Sequence, residues 1–216
     1  MKNITQRWLA LLLLLPAAAL AEPGTQRVQV ETTAGDFVIE LDTVRAPITV
    51  ANFLRYVRAG HYDGTIFHRV IANFVVQGGG YDTQYRERPT LGPIPNESGN
   101  GLGNRRGTIA MARMEDPHSA AAQFYINLAD NVPLDPMPSR WGYAVFGKVA
   151  EGMEVVDAIA HAPTGEAGPF PADAPLTAIV VRRMAVLDAS APADAATPPP
   201  AAAQPQPQEP AAPVAQ

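Results

Sequence analysis

Residues 67–79 read Phe-His-Arg-Val-Ile-Ala-Asn-Phe-Val-Val-Gln-Gly-Gly, and this stretch decides the fold that we expect. It predicts two short strands, 65–71 and 74–77, separated by a short turn. Because side chains of a strand alternate between its faces, Arg69 and Gln77 have the parity to share a face if no bulge intervenes. A cation and an amide on a largely apolar strand pair are typical of a polar recognition point in an apolar pocket.

The rest of the chain predicts about eight strands and two helices. Apolar residues at helical spacing predict one helix from Pro47 to Gly60 and another from Gly152 to Ala160. Helices so few and so far apart disfavour a parallel α/β sheet and favour a mainly β fold, an antiparallel barrel whose ends the helices cover. The other predicted strands are 28–31, 36–41, 107–112, 123–128, 143–149 and 177–187.

Both ends of the chain are predicted to lie outside the folded domain. Residues 1–21 combine a basic start, a short apolar run and a small-residue end, which predicts a signal peptide cleaved before Glu22. A membrane anchor is the alternative, but Pro16 interrupts the run. Residues 189–216 consist mainly of Ala, Pro and Gln, with eight prolines, and predict a disordered tail. Residues 22–188 remain, enough for one domain with one core.

Composition excludes several functional classes. Without the signal peptide the chain carries 14 basic and 21 acidic side chains, which disfavours an electrostatic nucleic-acid surface. There is no cysteine, and no cluster has metal-ligand spacing. Residues 78–80 are three glycines without a following Lys-Ser/Thr, so we interpret them as a turn and not a phosphate-binding loop.

Four polar residues outside the predicted pocket are given structural interpretations. His68 neighbours Arg69 and points to the opposite face, so we interpret it as a satisfied structural histidine. Asp116, His118 and Ser119 are the residue types of a catalytic triad, but they crowd into one loop without an orienting scaffold.

Three sequence blocks in order resemble the cyclophilin-type peptidyl-prolyl isomerases: residues 67–79, 121–127 (Ala-Ala-Gln-Phe-Tyr-Ile-Asn) and 143–149 (Tyr-Ala-Val-Phe-Gly-Lys-Val). The resemblance spans Arg27 to Leu187. It implies a closed eight-stranded antiparallel β-barrel capped by two helices, with the substrate groove on the outside. It also implies rotation about X-Pro bonds as the reaction.

Such a reaction needs neither a nucleophile nor a cofactor. The barrier of about 18–20 kcal/mol comes from amide resonance, and it falls when the twisted amide is bound better than either planar form. In the twist the prolyl nitrogen becomes a hydrogen-bond acceptor, and a fixed guanidinium is a suitable donor.

By position, the resemblance implies that Arg69 is this donor and that Gln77 orients it. The substrate-binding residues that it implies are Phe74, Val75, Met111, Ala112, Arg113, Gln123, Tyr125, Leu134 and Tyr143. The sequence departs from the family at several of these positions. Val75 is smaller than the methionine that is common there, and Arg113 and Tyr143 stand where many members have asparagine and histidine. Pro133 stands where a tryptophan important for cyclosporin binding is frequent. Tyr125 stands for phenylalanine, and its added hydroxyl needs a partner. We therefore expect activity rather than tight cyclosporin binding, and Trp141 is not taken as a substitute.

Three functions are compatible with these residues. The first is an isomerase acting on X-Pro bonds of unfolded or partly folded exported proteins, as a monomer in the periplasm, without nucleic acid and without stable membrane insertion after cleavage. The second is a non-catalytic chaperone or binding module for Pro-containing segments. The third, which the sequence blocks disfavour, is a barrel with a small ligand in its lumen.

Overall fold

The computed structural model describes residues 24–187, so the predicted signal peptide (1–21) and tail (189–216) lie outside the described residues. The strands are β1 Thr25–Thr32, β2 Gly35–Asp42, β3 Thr65–Ile71, β4 Val75–Asp82, β5 Thr108–Met111, β6 Phe124–Asn127, β7 Val145–Glu151, β8 Thr164–Ala167, β9 Phe170–Pro175 and β10 Val181–Leu187. The helices are α1 Pro47–Arg58 and α2 Met153–Ala160, with a single 3-10 turn at Val132–Leu134. Within the described range, neither helix is long and apolar enough to cross a membrane.

Eight of the strands form one antiparallel sheet in the order β10-β1-β2-β7-β5-β6-β4-β3. The two outer strands of this order meet as well, because Ile66 of β3 forms an antiparallel bridge with Val180. The Phe67 N–H donates to the Ile179 carbonyl over 3.0 Å, and the Gly64 N–H donates to the Val181 carbonyl over 2.8 Å. These bonds close the sheet, and the predicted mainly β, eight-stranded barrel with two helices is confirmed.

Aromatic side chains fill the interior of the barrel. Helix α1 contributes Phe53, whose ring centroid lies 5.1 Å from that of Tyr62, 5.7 Å from that of Phe124 and 5.2 Å from that of Phe146. All four side chains are buried. Helix α1 begins at Pro47, which fits a first turn because its missing N–H would be unpaired there. An interior packed in this way disfavours the hypothesis of a ligand in the lumen.

The glycines at 78–80 belong to β4 and not to the predicted turn. An added Cβ at Gly78 would lie 2.8 Å from the Phe67 ring, and Gly79 has a φ of 85° that favours glycine. Tight packing against the aromatic core therefore explains these two glycines, and the strand continues through them to Asp82.

The hairpin formed by β8 and β9 has no counterpart in the prediction, which placed no strand between α2 and residue 177. Its two strands are short and largely exposed, so they lack the apolar alternation that marks a half-buried strand. Phe170 of this hairpin stacks on His68 of β3 with ring centroids 5.1 Å apart. The hairpin thereby covers part of β3.

Candidate active site

Arg69 and Gln77 are directly opposite each other on β3 and β4. The Arg69 Nη1 donates to Gln77 Oε1 over 3.2 Å, so the two side chains share a face. The predicted alternation of side chains holds at these two positions because residues 69–71 pair regularly with 75–77. The register irregularities of this strand pair lie between Thr65 and Arg69. Asn73 closes the turn between the strands with a φ of 58°, a conformation that asparagine tolerates.

A second amide extends this pair along the sheet. Gln77 Nε2 donates to Gln123 Oε1 over 3.1 Å, while the Gln123 carbonyl accepts from the Ala112 N–H over 2.9 Å. Gly80 leaves the space that this arrangement needs, since a Cβ there would lie 2.6 Å from the Gln123 side chain. Arg69, Gln77 and Gln123 thus form a fixed polar row.

A cavity of about 240 Å³ opens beside this row. Val75 and Tyr125 are buried at its base, where they pack with Ala110 and Val145. The Arg69 guanidinium lies 6.0 Å from the centroid of the Phe74 ring. The residues that line the cavity, all of them among the predicted site residues, are Arg69, Phe74, Val75, Gln77, Ala112, Arg113, Tyr125, Leu134 and Tyr143.

Two predicted site residues lie outside this cavity. Met111 is buried in the barrel core, because its neighbour Ala110 takes the cavity side of β5 and adjacent side chains alternate. Met111 thus does not line this cavity, and its role in substrate binding stays a prediction. Gln123 lines an adjacent cavity of about 330 Å³, which shares Gln77, Ala112 and Arg113 with the first.

The Tyr125 hydroxyl donates to Asn104 Oδ1 over 2.7 Å. Asn104 is fully buried, and its Oδ1 also accepts from Asn127 Nδ2 over 3.3 Å. Burial raises the pKa of Tyr125, so this side chain is a neutral hydrogen-bond donor. The expected need for a partner is met by a residue that the sequence prediction did not name.

Asp135 anchors Asn104 from behind the cavity wall. Its Oδ1 accepts from the Asn104 N–H over 2.6 Å, and its Oδ2 accepts from Arg105 Nη1 over 2.7 Å. Burial opposes ionisation of Asp135, but the hydrogen bonds from Asn104 and Arg105 hold the pKa of its carboxyl below the usual range. Asp135 directly follows Leu134 in the chain, so these bonds also position Leu134, which lines the cavity.

Asn131 completes the support of this wall. Its Nδ2 donates to the Phe74 carbonyl over 2.9 Å, and its own carbonyl accepts from the Leu134 N–H over 2.9 Å. Asn131 Nδ2 also donates to Asn127 Oδ1 over 2.7 Å. No sequence signal marked Asn104 or Asn131, because asparagine in a loop is ordinarily a turn residue.

Arg113 spans two loops at the other side of the cavity. Its guanidinium carbon lies 4.6 Å from the centroid of the Tyr143 ring. Its donors reach the carbonyls of Met114 over 2.8 Å and of Trp141 over 3.2 Å. Trp141 packs against His118 with ring centroids 5.2 Å apart and does not line the cavity.

His68 is buried on the far side of β3, where its ring contacts Tyr81 and Phe170. Burial lowers the pKa of His68 to about 4. Its Nδ1 has no hydrogen-bond partner among residues 24–187. The predicted structural position is therefore right, but the prediction that the ring is satisfied is wrong for Nδ1.

Asp116, His118 and Ser119 make turn and loop contacts instead of the contacts of a triad. Ser119 Oγ donates to the Asp116 carbonyl over 2.6 Å, and the His118 N–H donates to Asp116 Oδ1 over 2.8 Å. His118 Nδ1 instead accepts from the Asn96 N–H over 3.1 Å. In the described part of the chain, no group of three or more His, Cys, Asp or Glu residues could hold a metal ion.

Comparisons with known proteins agree on one family. Residues 27–186 match the family model of the cyclophilin type peptidyl-prolyl cis-trans isomerases. The chain is 52% identical over 163 residues to the peptidyl-prolyl cis-trans isomerase cyp18 of Streptomyces antibioticus, covering 74% of this chain and 98% of that protein. It is 46% identical over 162 residues to the peptidyl-prolyl cis-trans isomerase B of Escherichia coli K12, with 74% and 98% covered.

A solved structure shows the same fold. The crystal structure of a Cryptosporidium parvum cyclophilin type peptidyl-prolyl cis-trans isomerase superimposes with a TM-score of 0.62 at 26% sequence identity. The superposition covers 76% of this chain and 98% of that one.

Proposed function

The chain belongs to the cyclophilin-type peptidyl-prolyl cis-trans isomerases, and from this premise we propose that it accelerates X-Pro rotation in exported proteins with Arg69 as the catalytic donor. The observation that carries the proposal is the Arg69–Gln77 hydrogen bond of 3.2 Å, on the wall of a cavity that Phe74, Val75 and Leu134 also line.

The cavity offers a place for the proline ring. Phe74, Val75, Tyr125 and Leu134 give it apolar walls. A ring held there supplies a fixed point, and the rest of the substrate turns about the X-Pro bond.

Arg69 then acts on the twisted amide. Gln77 accepts one of its N–H groups, and no carboxylate within residues 24–187 forms an ion pair with it. Its other donors are available to the prolyl nitrogen, whose lone pair is exposed only when resonance is lost. This hydrogen bond forms in the transition state and in neither planar state, so it lowers the barrier.

Exported proteins are proposed as substrates because residues 1–21 have the pattern of a cleavable signal peptide. The periplasm is the proposed compartment and the monomer the proposed state. Cell fractionation with N-terminal sequencing tests the compartment: we expect periplasmic protein that begins at Glu22, and cytoplasmic protein that begins at Met1 would contradict it.

The activity is tested by NMR exchange between cis and trans forms of an Ala-Pro peptide, with the full chain, its Arg69→Ala variant and the matched surface variant Arg58→Ala. We expect acceleration by the parent and by Arg58→Ala, and its loss in Arg69→Ala. Acceleration that persists in a folded Arg69→Ala variant would overturn the assigned role of Arg69.

A chaperone function is the second candidate, and the exposed apolar side chains Met114, Met137 and Trp141 favour it. They lie on the two loops that Arg113 joins, next to the groove. Suppression of aggregation that is unchanged in Arg69→Ala would show that holding unfolded chains is separate from isomerisation.

A further inference from the structure

Arg113 lies between the two neighbouring cavities and lines both of them. The first is the cavity assigned above to the proline ring. The second continues past Ala112 to Gln123 and Glu87. A peptide that fills both must therefore pass the Arg113 side chain.

The positive charge of this side chain is fixed but not neutralised. Its hydrogen bonds go to backbone carbonyls, and its flat face rests on the Tyr143 ring. None of the ion pairs among residues 24–187 includes Arg113 or Arg69. Neutral acceptors hold a guanidinium in place without removing its net charge.

The nearby carboxylates Glu87, Glu115 and Asp135 form no ion pair with either cation. No carboxylate lines the proline cavity. Asp135 lies behind Leu134 and is paired with Arg105. Glu87 lines the far cavity, beyond Ala112. The proline cavity is thus locally cationic in a chain whose formal net charge is −5.

We infer that Arg113 is a specificity-determining residue that favours substrates with Asp or Glu immediately before proline. The inference rests on the proposed function and on the role that the family resemblance implies for Ala112 and Arg113, whose backbone groups contact the residue before proline. Both residues line the two cavities. An acidic side chain there meets an uncompensated guanidinium, whereas a lysine side chain is repelled by it.

The preference is moderate because Arg113 is only half-buried. A charge pair with solvent access changes a rate or affinity by up to about fivefold. The comparison of Glu with Lys combines an attraction with a repulsion, so we expect about threefold to tenfold. The preference also falls as salt is added, since ions screen accessible charges.

The test compares kcat/KM of the full chain on three peptides that differ only in the residue before proline: Glu-Pro, Gln-Pro and Lys-Pro. The readout is the ratio of Glu-Pro to Lys-Pro, which a general loss of activity or of folded protein does not change. The same ratio is measured for Arg113→Gln and for the charge-conserving Arg113→Lys.

We expect the parent to favour Glu-Pro over Lys-Pro by about threefold to tenfold, Arg113→Gln to bring the ratio close to one, and Arg113→Lys to retain part of it. Equal acceleration of all three peptides by the parent, or an unchanged ratio in Arg113→Gln, would overturn the inference and leave the isomerase function intact. Absence of acceleration on every peptide would instead contradict the proposed function.

Discussion

Tyr125 and Asn104 are joined by a 2.7 Å hydrogen bond at the buried base of the cavity that Arg69 and Gln77 line. The bond connects an apolar pocket wall to a polar network that includes Asp135, Asn127 and Asn131. The shape of the pocket therefore depends on residues that do not line it. We expect removal of the Tyr125 hydroxyl and removal of the Asn104 side chain to lower the stability by different amounts.

For Tyr125→Phe we expect a modest loss, because Asn104 Oδ1 keeps its hydrogen bond from Asn127. The free energy of unfolding should fall by about 0.5–1.5 kcal/mol. Urea denaturation measures it, and exchange NMR checks that isomerisation is retained. Loss of activity in a folded Tyr125→Phe variant would show that the hydroxyl takes part in the chemistry.

For Asn104→Ala we expect a larger loss, because the Tyr125 hydroxyl is then buried without a partner. Such a group costs about 1–3 kcal/mol, and the loosened wall should lower kcat/KM by about tenfold. The double variant with Tyr125→Phe should recover part of the stability. If the changes in the free energy of unfolding of the two single variants add up to that of the double variant in urea denaturation, the two residues are not a coupled pair.

Arg69→Ala should separate activity from stability. Arg69 is half-buried and hydrogen-bonded to Gln77 by a single side-chain bond, so the free energy of unfolding should change by less than about 1 kcal/mol. The value of kcat/KM should fall by about 10²–10³. Arg69→Lys should rescue little, because an ammonium group lacks the planar fork of donors.

Gly80→Ala should disturb catalysis by a purely steric route. The new Cβ would lie 2.6 Å from the Gln123 side chain, which must then release Gln77. We expect kcat/KM to fall, with a broadened Gln77 side-chain resonance in NMR spectra. Gly99→Ala is the matched control, because a Cβ there meets nothing within 4 Å. Equal effects of the two substitutions would contradict the role given to Gly80.

His68 should make stability depend on pH. Its pKa is lowered from 6.5 to about 4 in the folded state, so the unfolded state binds the proton first as the pH falls. The stability is complete above pH 6.5 and is lost progressively towards pH 4. The loss attributable to His68 is about 3 kcal/mol.

Denaturant titrations between these pH values measure this dependence. His68→Phe should make it shallower, while burial of His61, which also lowers the pKa of that ring, keeps part of it. The surface variant Arg58→Ala, at an exposed position, is the matched control and should leave the dependence unchanged. A parent stability that is constant over this pH range would contradict the prediction.

Sequence reasoning located the polar pair and the pocket but not what holds them. Arg69 and Gln77 were placed correctly because strand parity is a local property that the intervening turn preserves. The error at Gly78 arose because a glycine that makes room for an aromatic ring looks the same in sequence as a glycine in a turn. Met111 was assigned by likeness, and only the alternation along β5 shows that it faces the core.

The network behind the pocket could not be predicted, because its members are far apart in sequence. Asn104 joins Tyr125 and Asp135 across the cavity base, and nothing in the local pattern of a loop asparagine indicates burial. The β8–β9 hairpin was missed for a related reason, since its packing on His68 and not its own pattern gives it structure.

The closure of the sheet has a consequence for how the protein is made. β1 pairs with β10, from Arg27 with Leu187 to Thr32 with Val181. The first strand to be synthesised therefore cannot complete its pairing until the last strand has been synthesised. Until β10 arrives, β1 and β3 are open edges that can pair with other chains. Synthesis that pauses before residue 181 therefore leaves this isomerase unable to complete its own fold.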